Sequence, residues 1–257
     1  MPKIIVAALL LALSPSSYAD CKSSIEKALE ALNVYPGRHF PVNPDDWHVD
    51  VQCKVWPADP TKTLAAVRYP LGKTRVHRAL HQNNLQVMVW DTSSGNVLQG
   101  LYLNDTLLST GLLPLTSIQL DTARYDLAPG MRAFGVRANR EGVLHNDSQS
   151  ITLYAIQENN LKKVLWSLST HVSITNAEVS GHSCQSTDIS RTLAIAKTSS
   201  HGFADLIVQE KKTVWTDGSP DKDCKDGKTE TSSSRYILNF DGSSYGVPRE
   251  LLAYLGL

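Results

Sequence analysis

The chain reads as an all-β protein of antiparallel hairpins, propeller-like or sandwich-like, with a short N-terminal helix. Three observations predict this. Short apolar runs bounded by Gly, Asn, Asp and Ser recur through the C-terminal three quarters of the sequence. They come in pairs, strand then polar turn then strand. Helical periodicity is sustained in one stretch only, residues 21–32, where Ile25, Ala28, Leu29 and Leu32 fall at i, i+3, i+4 and i+7.

In chain order, the helix over 21–32 has Asp20, Ser23 and Ser24 as candidate caps and stops at Pro36-Gly37. A proline-rich connector follows over 40–60, with Pro41, Pro44, Pro57 and Pro60, through which no helix can run. Inside it, residues 47–56 alternate as a short strand centred on Val49, Val51, Cys53 and Val55. Residues 85–91 and 97–103 flank a glycine-containing turn. Residues 150–156 and 161–166 flank Gln157-Glu-Asn-Asn160. Residues 133–137 form a strand between these hairpins. Residues 204–209 and 212–215 form a further pair, and 236–240 with 245–247 the last. After Pro248, residues 249–257 close the chain as a helical turn. The expected organisation is 1–19 as a signal peptide, 20–60 as helix and connector, and 61–257 as a β-rich domain.

The signal peptide rests on Lys3, the apolar run 4–13, and small residues Ser17 and Ala19 at −3 and −1 of a cleavage site. The run is shorter than the roughly 20 residues that span a bilayer. Asp20 before Cys21 argues against lipid attachment. The mature chain is therefore expected to be soluble and exported, with no transmembrane segment. Over the whole sequence 25 basic residues balance 25 acidic ones. Such a chain has no global field to draw nucleic acid, and nucleic-acid binding is not expected.

All four cysteines, Cys21, Cys53, Cys184 and Cys224, lie in the exported part, where disulfides are the default. Closing the shorter loops favours Cys21–Cys53 and Cys184–Cys224. No Cys-x-x-Cys spacing is present, and neither metal nor cofactor is expected.

Four patterns look like chemical motifs and are better read as structure. Gly242-Ser-Ser-Tyr-Gly246 matches a nucleophile elbow, but no histidine follows Ser244, so a hairpin turn is expected. His77 and His81 are spaced i, i+4 without a glutamate between them or a third ligand nearby. Asp217, Asp221, Asp223, Asp226 and Glu230 miss the register of a calcium loop. Trp90, Trp166 and Trp215, near strand ends, are read as core. Asn104 and Asn146 begin glycosylation sequons.

Cys53-Lys-Val-Trp-Pro-Ala-Asp-Pro60, Val89-Trp-Asp91 with Ser94-Gly95, residues 120–125, and Arg132-Ala-Phe-Gly-Val-Arg137 together resemble a set of uncharacterised exported proteins of Gram-negative bacteria. The resemblance implies a periplasmic address and carries no catalytic residue.

The expected function is a non-enzymatic periplasmic interaction protein with a protein partner. Its specific form is an inhibitor or immunity protein acting on an envelope-directed toxin or hydrolase. The partner surface is expected on the charged loop over 216–234, at Trp215, Asp217, Asp221, Asp223 and Asp226. The alternative is a periplasmic hydrolase with a dispersed site drawn from His171, His182, His201, Asp188 and Asp205.

Overall fold

The computed structural model describes residues 50–70, 80–110, 113–142, 146–177, 184–217 and 227–252. The expected signal peptide, N-terminal helix, most of the connector, Cys21 and Cys224 lie outside the described residues. What is described is nearly all strand, in two antiparallel sheets. The first sheet holds β1 (Asp50–Val55), β2 (Lys62–Pro70), β3 (Leu80–Asp91) and β4 (Val97–Thr110), each paired with the next. The second holds β5 (Leu115–Ala128), β6 (Met131–Glu141), β7 (Asp147–Gln157), β8 (Asn160–Ala177), β9 (Cys184–Ser200), β10 (Phe203–Asp217) and β11 (Lys228–Leu238), again in chain order. Meanders of this kind need only short connections, so neighbours in sequence within each sheet are neighbours in space. The described residues form no radial array of blades, and the sandwich-like alternative describes the packing.

Two cores follow from strand alternation. On one face of the second sheet, Ile118, Leu120, Phe134, Val136, Ala138 and Tyr154 pack against Trp56, Leu64, Leu85, Val87 and Leu107 of the first sheet. On the other face, Ile151, Leu153, Leu165 and Leu168 meet Leu206, Val208 and Leu238 of the same sheet, which has folded back on itself. The C-terminal tail fills the fold. Tyr245 bridges Leu165, Leu252 bridges Leu168, and Phe240, Tyr245 and Leu251 are buried. The seam between the sheets is tied by polar contacts: Asp50 Oδ2 accepts the Ile118 N–H at 2.6 Å, and Arg68 donates to the Leu115 carbonyl at 2.9 Å.

The two ends of the long sheet differ. At one end the turns are tight. Pro129-Gly130 links β5 to β6, Glu158-Asn159 links β7 to β8, and His201-Gly202 links β9 to β10. The last two pairs have positive φ at both positions (50° and 59°; 50° and 82°), the type I′ geometry that matches strand twist. At the other end the connections are longer: 142–146, 178–183 and 218–227.

The structure corrects several sequence-based expectations. Residues 204–209 and 212–215 are one continuous strand, β10, because Glu210 pairs with Arg191 and does not turn. The expected loop over 216–234 is shorter, since β11 begins at Lys228 and pairs with β10 as far as Thr216. Residues 245–247 form no strand; Tyr245 makes isolated bridges only. Of the expected helical closure over 249–257, the described residues form a single 3-10 turn, Arg249–Leu251, and 253–257 lie outside the described residues. Trp90 is buried, but Trp166 is 53% exposed at a bulge in β8, with Lys163 Nζ 4.7 Å above its ring. No helix among the described residues is long and apolar enough to cross a membrane.

Candidate functional site

Cross-strand register places two polar rows on one face of the second sheet, near its long-loop end. The first row runs Ser117, Asn139, Gln149, His171, Ser190, Lys211, Ser233, one residue from each of the seven strands. The second runs Glu141, Asp147, Ser173, Asp188, Thr213, Thr231. Residues directly opposite on paired strands share a face, so these thirteen side chains form a continuous polar strip. A third, shorter row adds Thr175, Ser186, Trp215 and Thr229.

The β5–β7 part of the strip is internally satisfied. Arg137 donates two bonds to Asp121 Oδ2, at 2.8 and 2.6 Å, and one to Gln149 Oε1 at 2.6 Å. Gln149 donates to Asn139 at 2.8 Å, and Asn139 donates to Ser117 at 3.0 Å. Burial works to raise the Asp121 pKa. The Ala123 N–H, the Arg137 guanidinium and the Tyr125 hydroxyl outweigh it and hold the carboxyl below its ordinary value. Tyr125 is pushed up to about 12, by burial first and by the Asp121 charge second. Such a saturated network fixes the side chains in place.

The β8–β11 part presents open groups. His171 Nε2 lies 2.9 Å from Asp147 and 3.8 Å from Asp188. Asp188, Ser190, Lys211, Thr231 and Ser233 are exposed. Trp215 packs against Gly227, just before β11, where a Cβ would overlap the indole and force the ring to move. This contact makes Trp215 half-buried and fixes it at the root of the 218–227 connection.

The sequence-derived site residues divide accordingly. Trp215 and the backbone of Asp217 stand at the end of β10, with Asp217 paired to Cys184. Asp221, Asp223 and Asp226 lie outside the described residues. Of the dispersed catalytic set, the fold brings His171 to Asp188 and adds Asp147. His182 lies outside the described residues. His201 sits in a tight turn, and Asp205 bonds to Thr198, Ser200 and Asn239 in a bulge of β10. Among the described residues no hydroxyl or thiol is hydrogen-bonded to His171. None of their His, Cys, Asp and Glu side chains form a group of three able to hold a metal ion. Ser244 is part of a turn closed by Asp241, whose Oδ1 accepts the Ser243 and Ser244 N–H groups at 2.7 and 2.8 Å. Cys53 is not a free thiol. The strip itself is not visible in the sequence. It follows from register, which sequence alternation cannot supply for strands polar on both faces.

No family model, curated protein or solved structure matches this chain.

Proposed function

We propose that this chain is an exported, non-enzymatic binding protein whose protein partner lies along the polar strip and the three long connections beside it. One observation carries the reading: polar residues occupy every position of two cross-strand rows, and over β9–β11 this strip is largely exposed. Seven strands at about 4.8 Å spacing make the strip roughly 30 Å wide, and two to three rows add roughly 14 Å of height. That gives about 400 Å², half of what one partner contributes to a standard interface. The connections 142–146, 178–183 and 218–227 supply the remainder. The last carries Asp221, Asp223 and Asp226 against Lys222 and Lys225, three acids and two bases, and its net charge of −1 favours a basic partner.

Export fits the signal-like residues 1–19 and a periplasmic address. The pairing Cys184–Cys224 fits the position of Cys184 opposite Asp217, at the root of the connection that carries Cys224. Such a bridge would lower the ordering cost of that loop on binding. An inhibitor or immunity protein against an envelope-directed enzyme is the specific form of this reading. The test is affinity capture from periplasmic extract with wild type, with Asp188→Lys/Lys211→Glu, and with Lys197→Glu at the opposite end. A partner held by wild type and Lys197→Glu but lost by the strip variant supports the reading. A partner indifferent to the strip variant refutes it.

The hydrolase alternative keeps one supporting observation, the Asp147–His171 contact at 2.9 Å. A carboxylate-oriented imidazole is half of a nucleophile-activating pair. Turnover on an envelope-substrate panel that His171→Ala abolishes would establish it.

A further inference from the structure

At the tight-turn end, far along the strands from the polar strip, a cleft of about 900 Å³ opens where three turns converge. Its walls come from the β1–β2 turn (Trp56, Asp59, Lys62), the β5–β6 turn (Asp126 to Arg132) and β9 with its turn (Lys197 to Gly202), with Ile156 also lining it. The volume is of the size that small-molecule sites use, about 300–1,000 Å³.

The hydrogen-bonding capacity left in this cleft is donor capacity. Both acids are already occupied. Asp59 accepts from Lys62 at 2.5 Å and from the Thr61 hydroxyl and N–H. Asp126 accepts from Arg124 at 2.5 Å and Arg132 at 2.6 Å. Lys197 is exposed and has no ion pair among the described residues. Trp56 lines the cleft with the 6% of its surface that is exposed. Beside these donors stand the apolar surfaces of Trp56, Leu127, Met131 and Ile156.

We propose that this cleft binds an amphipathic carboxylate, its head at Lys197, Lys62 and Arg132 and its apolar body against Trp56, Met131 and Ile156. The charge complementarity comes from Lys197: Lys62 and Arg132 offset Asp59 and Asp126, with which they pair, and the charged lining of three cations and two acids carries a net charge of +1. The same chemistry is offered by a free medium-chain acid and by a peptide C-terminus with an apolar last residue. The proposal is independent of the polar strip.

The experiment titrates the exported chain with decanoate and with acetyl-Gly-Gly-Leu, using decanamide and acetyl-Gly-Gly-Leu-amide as neutral controls. Calorimetry reads affinity. The Trp56 indole N–H resonance, assigned by its loss in Trp56→Phe, reads location. The expected result is saturable binding of one acid, about tenfold tighter than its amide, with the Trp56 resonance shifting. Lys197→Ala should weaken it about fivefold, what one exposed ion pair supplies, while Lys211→Ala on the distant strip should not. Which acid saturates identifies the source. Absence of saturation by both acids, equal binding of acid and amide, or equal effects of the two lysine variants would overturn the proposal.

Discussion

Asp241 and Asp91 perform the same task with the same four-residue pattern. In Asp91-Thr-Ser-Ser94 and Asp241-Gly-Ser-Ser244 the carboxylate accepts the N–H groups two and three residues on, which closes the turn. Those bonds hold Asp91 down at about 2, the Ser93 hydroxyl contributing most. Ser244 is thus a turn residue, as its position without a following histidine indicates in the sequence. Ser244→Ala should leave any activity intact, and a fluorophosphonate probe should leave Ser244 unlabelled; stoichiometric labelling would contradict the turn assignment. A second residue-scale test concerns Asp121. A carboxyl held low in the folded state contributes stability above its unfolded pKa, near 4, and loses it as pH falls. Arg137→Ala removes two of its donors. Denaturation between pH 6 and about 3 should therefore show a shallower loss of stability in the variant than in wild type. An identical acid limb would remove the pair from the account. The Asp121–Arg137 partnership is not legible in the sequence, because sixteen residues and a strand turn separate the two.

Among the elements, the legible ones are hairpins whose two apolar strands flank a polar turn. β3, β4, β7 and the start of β8 alternate or run apolar, and the sequence places their hairpins with the correct turns. It does not place β2, β5, β9 or the first part of β11: Leu64-Ala-Ala-Val67 of β2 is a short apolar run with no alternation, and Gln185-Ser-Thr-Asp188 and Thr229-Glu-Thr-Ser-Ser-Ser234 carry no apolar face to mark a period. Their pairing is set by neighbours and by the Trp215–Gly227 contact. β10 divides in the sequence because Gln209 to Lys212 resembles a polar turn; pairing on both sides keeps it extended. The turns offer a direct test. Gly202 has φ +82° with open space around its Cβ position, so Gly202→Ala should cost about 1–2 kcal/mol through backbone conformation alone. His201→Asn should be neutral or stabilising, since asparagine tolerates the left-handed region better. Urea unfolding measures both, and a neutral Gly202→Ala would contradict the type I′ turn. Gly227→Ala should displace Trp215, visible in tryptophan fluorescence, while far-ultraviolet dichroism stays β.

Across the molecule, the long sheet is folded back on its apolar core, and one buried ion pair ties its neighbouring strands to the C-terminal tail. Arg191 Nε meets Glu210 at 2.7 Å with both side chains largely buried, and the same guanidinium donates to the Ser169 and Glu250 carbonyls. It thereby joins β8, β9, β10 and the C-terminal tail. Breaking it on one side leaves a buried charge, so Glu210→Gln should destabilise by about 3–5 kcal/mol. A change under about 1 kcal/mol in urea unfolding would show that the tail is held by apolar contacts alone. This closure buries apolar residues of β7 and β8 against those of β10 and β11 and leaves the polar strip on the outside of β9–β11, where Asp188, Ser190, Lys211, Thr231 and Ser233 are exposed. The all-β class is legible in the sequence; the strip is not, because it exists only once seven strands are in register. The most direct measurement of the central claim is the affinity of the captured periplasmic partner for wild type and for Asp188→Lys/Lys211→Glu, in proteins shown by thermal melting to be equally folded. The polar-strip account predicts at least a tenfold loss, about 1.4 kcal/mol, with Lys197→Glu unchanged. Equal affinity of the wild type and the strip variant would contradict it.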